Sequence, residues 1–162
     1  MAGEFAQLPK YTRENIERIV VLDGFENFAA GRDRGKGVLF LTGHTSNWEI
    51  MPFAHALYDR PIHFLVRAVD NPRVDALVNR YRCLSGNQSI EKNQSVRATL
   101  KVMHEGGTVG ILADVNTSLV EGVFVDFFGK PAYTSIAPVK IAMATGAPVV
   151  TAFLVRLPGD KY

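Results

Sequence analysis

GVLFLTGHTSNWE, residues 37–49, decides the reading of this chain. Its first half is a continuous apolar run, as expected of a strand covered on both faces rather than one alternating between core and water. After Gly43 it turns polar, and Ser46 and Glu49 follow in the order S-x-x-E, a helix-start pattern. A covered strand handing over to a helix is the repeating unit of an α/β fold.

Outward from this stretch the unit recurs. Upstream, Ile16, Ile19, Val20, Phe25 and Phe28 give a mostly helical period over 12–30, before a charged turn at 31–37. Downstream, residues 46–58 read as a helix that Pro52 should bend or shorten. IHFLVR (62–67) is the next strand, and Asn71-Pro72 is a preferred opening for a helix over 71–84. A further helix runs from Asn93 to the stop at Gly106 and Gly107. TVGILAD (108–114) is a buried strand, and VFVDFF (123–128) is another beyond a polar loop. Residues 134–145 form a helix ended by Gly146, and 148–156 the last strand. The expected fold class is therefore α/β, a mixed, largely parallel sheet flanked by helices, in a single domain over 1–162.

Bulk properties narrow the function. With 162 residues and 47% hydrophobic content, there is material for one core. Eighteen basic against sixteen acidic side chains leave +2, too little for a nucleic-acid footprint and compatible with an anionic surface or substrate. The single cysteine, Cys83, cannot form an intrachain disulfide and does not indicate an oxidising compartment. No apolar run approaches the length of a membrane-spanning helix, and the N-terminus lacks a secretory signal pattern. TAFLVRLPGDKY reads as a strand and turn with no partner strand following, so a truncated domain is expected.

Several chemistries lack their residues. There is no G-x-S-x-G and no activating neighbour for Cys83, which disfavours a covalent acyl-enzyme. His44, His55, His63 and His104 are scattered, with no H-E-x-x-H, so no metal is expected. No phosphate loop occurs.

His44 lies where a strand gives way to a helix, the ligand-facing edge of an α/β sheet. Glu49 follows five residues on, and two readings stay open. Ser46 and Glu49 could form a capping box. Alternatively, the non-helical residues after His44 let the Glu49 carboxylate reach the imidazole, fix its tautomer and favour the imidazolium, making a general base for a hydroxyl.

GHTSNWE, with three later segments, resembles the lysophospholipid acyltransferase superfamily, and within it the bacterial lipid A late acyltransferase family. That superfamily is recognised by a histidine, four residues and an acid, matched by His44 and Glu49; the family's GHxGNWE-like setting differs here mainly at Ser46. FLVRAVDNPRVDALVNRYR (64–82), VGILADVNTSLVEGVFVDFFGKPAYT (109–134) and ATGAPVV extend the resemblance over about residues 36–157. Asp126 stands where proline is usual, and Val115 where glutamine is common.

The resemblance implies a glycerolipid acyltransferase-like fold and transfer of a fatty acyl chain to a hydroxyl of a lipid A precursor or similar glycolipid. The donor would be acyl carrier protein, or coenzyme A, as its acyl thioester, with no other cofactor. It implies partners in acyl carrier protein, a lipid acceptor and the membrane surface, at the cytoplasmic face of a bacterial inner membrane, with an N-terminal anchor and a C-terminal segment outside this chain. His44 would be the base and Glu49 its orienting acid. Asn47, Arg67, Asp114, Asn116 and Thr134 are expected around the substrate, with Phe124, Phe127 and Phe128 as an acyl-chain wall. Arg73 and Arg80 share a helix face that could meet an acidic carrier or headgroups. A glycerolipid acyltransferase, or a non-catalytic lipid or acyl-carrier binding module, is the alternative.

Overall fold

A computed structural model describes residues 2–58, 60–91, 95–115, 117, 121–159 and 161–162. In chain order the elements are α1 (Ala2–Phe5), α2 (Phe25–Arg32), β1 (Val38–Thr42), α3 (Ile50–Leu57), β2 (His63–Val66), α4 (Pro72–Cys83), β3 (Gln88–Glu91), α5 (Ser95–His104), β4 (Thr108–Leu112), β5 (Gly122–Phe127), β6 (Lys130–Ser135), α6 (Ala137–Thr145) and β7 (Val149–Thr151). Five strands form one parallel sheet in the order β3-β2-β4-β1-β7; β5 and β6 pair antiparallel as a separate hairpin.

The interior strand β1, between β4 and β7, is covered on both faces, as its apolar run requires. Leu39 packs with Met103, Val109 and Ile141 on one side, while Val38 and Phe40 pack with Phe28 on the other. A third cluster joins Leu8, Ile16 and Val20 to Ile50 and Phe53 of α3, with Tyr162 closing it from the other end of the chain. Main-chain hydrogen bonds between Tyr162 and both Ile19 and Val21 fix that closure.

Several elements differ from the sequence expectation, each for a local reason. The helix expected over 12–30 is a single turn at 16–18 followed by α2, because Gly24 takes a left-handed φ of 71° just before Phe25. The helix expected from 46 begins at Ile50. Ser46 has φ 53° and caps nothing, so the capping box is not formed. Pro52 falls in the first turn of α3, where a missing N–H costs no helical bond. The strand β3 was hidden because only Ile90 of its four residues is buried. The strand β6 was hidden by Pro131, which an edge ribbon tolerates. Thr134 lies in β6, and α6 starts at Ala137 with Pro138 in its first turn. The last strand is three residues long. Asn71 caps α4 as expected, accepting from the amides of Arg73 and Val74.

Candidate active site

In a parallel sheet all carboxyl ends lie along one edge. Thr42 of β1 is level with Leu112 of β4, and the Ala113 amide donates to the Thr42 carbonyl. Two residues beyond each strand, this register sets His44 opposite Asp114. The His44 amide donates to Asp114 Oδ2 at 2.6 Å, and Nδ1 of its ring lies 2.8 Å from Oδ1. Gly43 leaves room for that carboxylate, since a Cβ there would lie 2.9 Å from Oδ2. Burial pushes the Asp114 carboxyl up, but the hydrogen bonds from the His44 ring and amide outweigh it and hold the group below the ordinary carboxylate value. In the neutral ring whose Nδ1 donates to this carboxylate, Nε2 carries the lone pair that can accept a proton from a hydroxyl.

Glu49 is turned elsewhere. Its carboxylate takes a bidentate pair of bonds from Arg82, Nε to Oε2 at 2.9 Å and Nη2 to Oε1 at 2.5 Å, with the two side chains 11% and 19% exposed. Among the described residues no hydrogen bond joins His44 to Glu49. The two are linked through Trp48, whose ring meets the His44 ring edge-on at 5.2 Å and carries the Arg82 guanidinium at 5.5 Å.

A cavity of about 190 Å³ opens beside these groups. Its polar rim includes Thr42, His44, Glu49, Arg67 and Arg82, and its walls are apolar, with Phe40, Ile62, Phe64, Leu65, Ile111 and Leu112 between the sheet and α3. Arg67 is exposed at the end of β2, and no ion pair with Asp70 is present among the described residues.

The remaining expected residues are more scattered. Asn47 is buried and turned from the cavity. Neither atom of its amide makes a hydrogen bond of good geometry, though it acts on the ionisation of the nearby Tyr162 hydroxyl. Thr134 bonds the Ala132 carbonyl inside the hairpin. Phe124, Phe127 and Phe128 do not line the cavity; they are 67%, 62% and 91% exposed on the hairpin. Asn116 lies outside the described residues. Arg73 and Arg80 are exposed on α4.

Sequence reading missed Arg82 and Trp48. The signal for Arg82 was the glutamate itself, because a carboxylate close to the core requires a cation. Among the described residues no group of three or more His, Cys, Asp or Glu is placed to hold a metal, and no helix is long and apolar enough to cross a membrane.

No curated protein matches the chain. A family model described as bacterial lipid A biosynthesis acyltransferase matches residues 1–162. The match covers the entire sequence, including the sheet edge that holds His44, and the chain belongs to the bacterial lipid A biosynthesis acyltransferase family, whose members transfer acyl groups.

Proposed function

We propose that this domain transfers a fatty acyl chain from the thioester of acyl carrier protein, or of coenzyme A, to a hydroxyl of a lipid A precursor, with His44 as general base. The observation that carries the reading is the Nδ1–Asp114 bond, which leaves Nε2 as the acceptor at the rim of an apolar cavity. The acceptor hydroxyl gives its proton to Nε2 as its oxygen attacks the thioester carbonyl. Asp114 stabilises the imidazolium that forms. Collapse of the tetrahedral intermediate breaks the carbon–sulfur bond, and the imidazolium returns the proton to the leaving thiolate. The ester and the free thiol are the products.

The apolar walls between the sheet and α3 suit the acyl chain, and the Arg67 guanidinium suits a phosphate of the acceptor or of the carrier's phosphopantetheine. Glu49 contributes as a positioning residue, by holding Arg82 against Trp48 and so fixing the wall beside His44. Arg73 and Arg80 offer an acidic carrier protein a basic face. The reaction as written draws on side chains and the thioester alone, and its setting is the cytoplasmic face of the inner membrane.

The test is transfer from labelled acyl carrier protein to a lipid A precursor and, in parallel, to lysophosphatidate, by the native chain and by His44→Ala. Transfer to the first acceptor that vanishes in the variant supports the reading. Transfer only to lysophosphatidate moves the enzyme to glycerolipid acylation, and ligand binding with no His44-dependent transfer makes it a binding module.

A further inference from the structure

The hairpin of β5 and β6 is built unlike the rest of the molecule. Phe127 pairs with Lys130, so the connection is the two-residue turn Phe128-Gly129, with φ 53° and 75°. Both values are left-handed, as in the tight hairpin turn that usually takes Asn-Gly or Asp-Gly. Phenylalanine at the first turn position is costly in backbone energy and places a ring at the apex, where turns ordinarily carry polar residues. Asp126 accepts a hydrogen bond from the Gly129 amide and stiffens the turn.

β5 exposes apolar side chains on both of its faces, while most of β6 is half-buried. Val123, Val125 and Phe127 alternate with Phe124 along β5; all four are exposed, as is Phe128. The Phe127 and Phe128 rings touch edge to face at 4.7 Å, forming one wedge. Hydrogen bonds hold the hairpin at its base, where the Ile136 amide donates to the Glu121 carbonyl and the Tyr133 hydroxyl to the Gly122 carbonyl. A two-stranded ribbon in water is marginal alone, and an apolar one has every reason to leave water.

Its place in the fold indicates what receives it. β4 runs from the sheet to Asp114, the partner of His44, and the hairpin follows eight residues later on the same chain segment. β2 is the neighbour of β4, so Arg67 reaches the same edge, followed by exposed Val69 and Val74. The hairpin therefore follows directly on the sheet edge that carries Asp114 and His44, beside a cavity whose substrate, on the reading above, carries acyl chains. Charges on the hairpin and at its base are mixed, with Lys130 against Glu121 and Asp126. Apolar insertion, rather than charge, has to supply the attraction.

We infer that the Phe127–Phe128 hairpin tip inserts into the interfacial region of a phospholipid bilayer and holds the cavity mouth against the membrane. A tip with exposed rings on both sides of β5 and at its apex, flanked by Asp126 and Lys130 at headgroup level, fits a fluid interface that closes around it, whereas a flat protein surface would leave one side wet. The inference rests on the lipid-substrate reading, but its readout is partition, which needs no turnover.

The experiment is co-sedimentation of the full chain with vesicles of phosphatidylethanolamine and phosphatidylglycerol, and with vesicles of phosphatidylcholine alone, beside the double variant Phe127→Ser/Phe128→Ser. Native chain should partition onto both vesicle types, and the double variant should lose about tenfold or more of its partition coefficient. In parallel, the indole of Phe128→Trp should be quenched by lipids brominated on the acyl chain, beyond the Trp48 background of the native chain. That second reading stands even if the double variant fails to fold. No partition of the native chain, equal partition of native and double variant, or no added quenching overturns the inference. A change in oligomeric state without a change in partition also overturns it, in favour of a second copy of the chain as the occupant. Transfer to a detergent-dispersed acceptor tests the catalytic reading separately, so failure of one is distinguishable from failure of the other.

Discussion

His44 and His55 lie eleven positions apart and show what the fold does to one side chain in two settings. His44 is half exposed at the sheet edge, its Nδ1 on a carboxylate and its ring at the rim of a cavity. His55 is buried in α3, its Nδ1 on the Arg60 carbonyl and its ring among Phe25, Phe28 and Phe40, with Nε2 unpartnered. Burial lowers the proton affinity of His55, and the Arg60 carbonyl only partly opposes it. An imidazole becomes a base when a carboxylate supports its charged form and a substrate can reach it. Without either it is packing material with a nitrogen to satisfy.

The largest expected effect breaks the pair at the edge. His44→Ala should lower acyl transfer about 10²–10⁴-fold while lowering the melting temperature by only a few degrees, because the ring is half exposed and its contacts are the Asp114 bond and the edge of Trp48. Asp114→Asn should lower turnover by about 10²-fold or more with little change in substrate affinity, since it removes the charge behind the imidazolium. Steady-state kinetics beside thermal melts read both. If Asp114→Asn were neutral and Glu49→Gln abolished turnover without loss of stability, the assignment of partners at this edge would be reversed.

Glu49→Gln comes next. It leaves the Arg82 guanidinium mostly buried without its counter-charge, at an expected cost of about 2–4 kcal/mol in denaturant unfolding. Turnover should fall less than in His44→Ala, because the Trp48 wall loosens while the base remains. Arg82→Met leaves the Glu49 carboxylate without its partner, as Arg82→Ala does, but keeps apolar bulk on Trp48 and should therefore cost less than Arg82→Ala.

His55 makes its difference visible through pH. Its folded-state value lies below the ordinary 6.5, so on acidification the unfolded chain takes up the proton first. Stability associated with this residue is therefore complete above pH 6.5 and falls as pH drops below it, until the folded value is reached. A melting curve for His55→Leu should be flatter than the native curve between about pH 7 and pH 5. His44→Ala should keep the native slope from His55.

Covered strands and strong helix starts were legible in the sequence, and pairings across the sheet were not. The run 37–43 and the Asn71-Pro72 opening each carry their cause locally, in continuous apolarity and in a capping side chain. His44 was legible as a group at a strand's end. Its partner was not, because Asp114 is 70 residues away and meets it only through the β1–β4 register. The H-x-x-x-x-E spacing drew attention to Glu49, whose carboxylate is satisfied by an arginine 33 residues downstream. The hairpin aromatics suited an acyl-chain wall or a covered core strand, and nothing local distinguishes a strand in the main sheet from one in a separate ribbon where all three rings are exposed.

Ser46 gives the smallest expected effect and decides how the chain leaves the active-site strand. In a capping box its hydroxyl would satisfy a helical amide, and Ser46→Ala would cost about 1 kcal/mol, with Ser46→Gly costing a few tenths. In the structure Ser46 sits at φ 53°, four residues before Ile50 opens α3, and supports no cap. Glycine there relieves about 1 kcal/mol of left-handed strain but loses about 0.5–1 kcal/mol through greater freedom in the unfolded chain. Ser46→Gly should thus be neutral or stabilising by about 0.5 kcal/mol at most, with transfer activity kept, and Ser46→Ala should cost no more than a few tenths. The order of the three melting temperatures is the readout. Glycine at or above serine, with alanine close behind, fits a left-handed turn that delivers His44 to Asp114; serine clearly above both would restore the capping box and move the start of α3 back to the histidine's own turn.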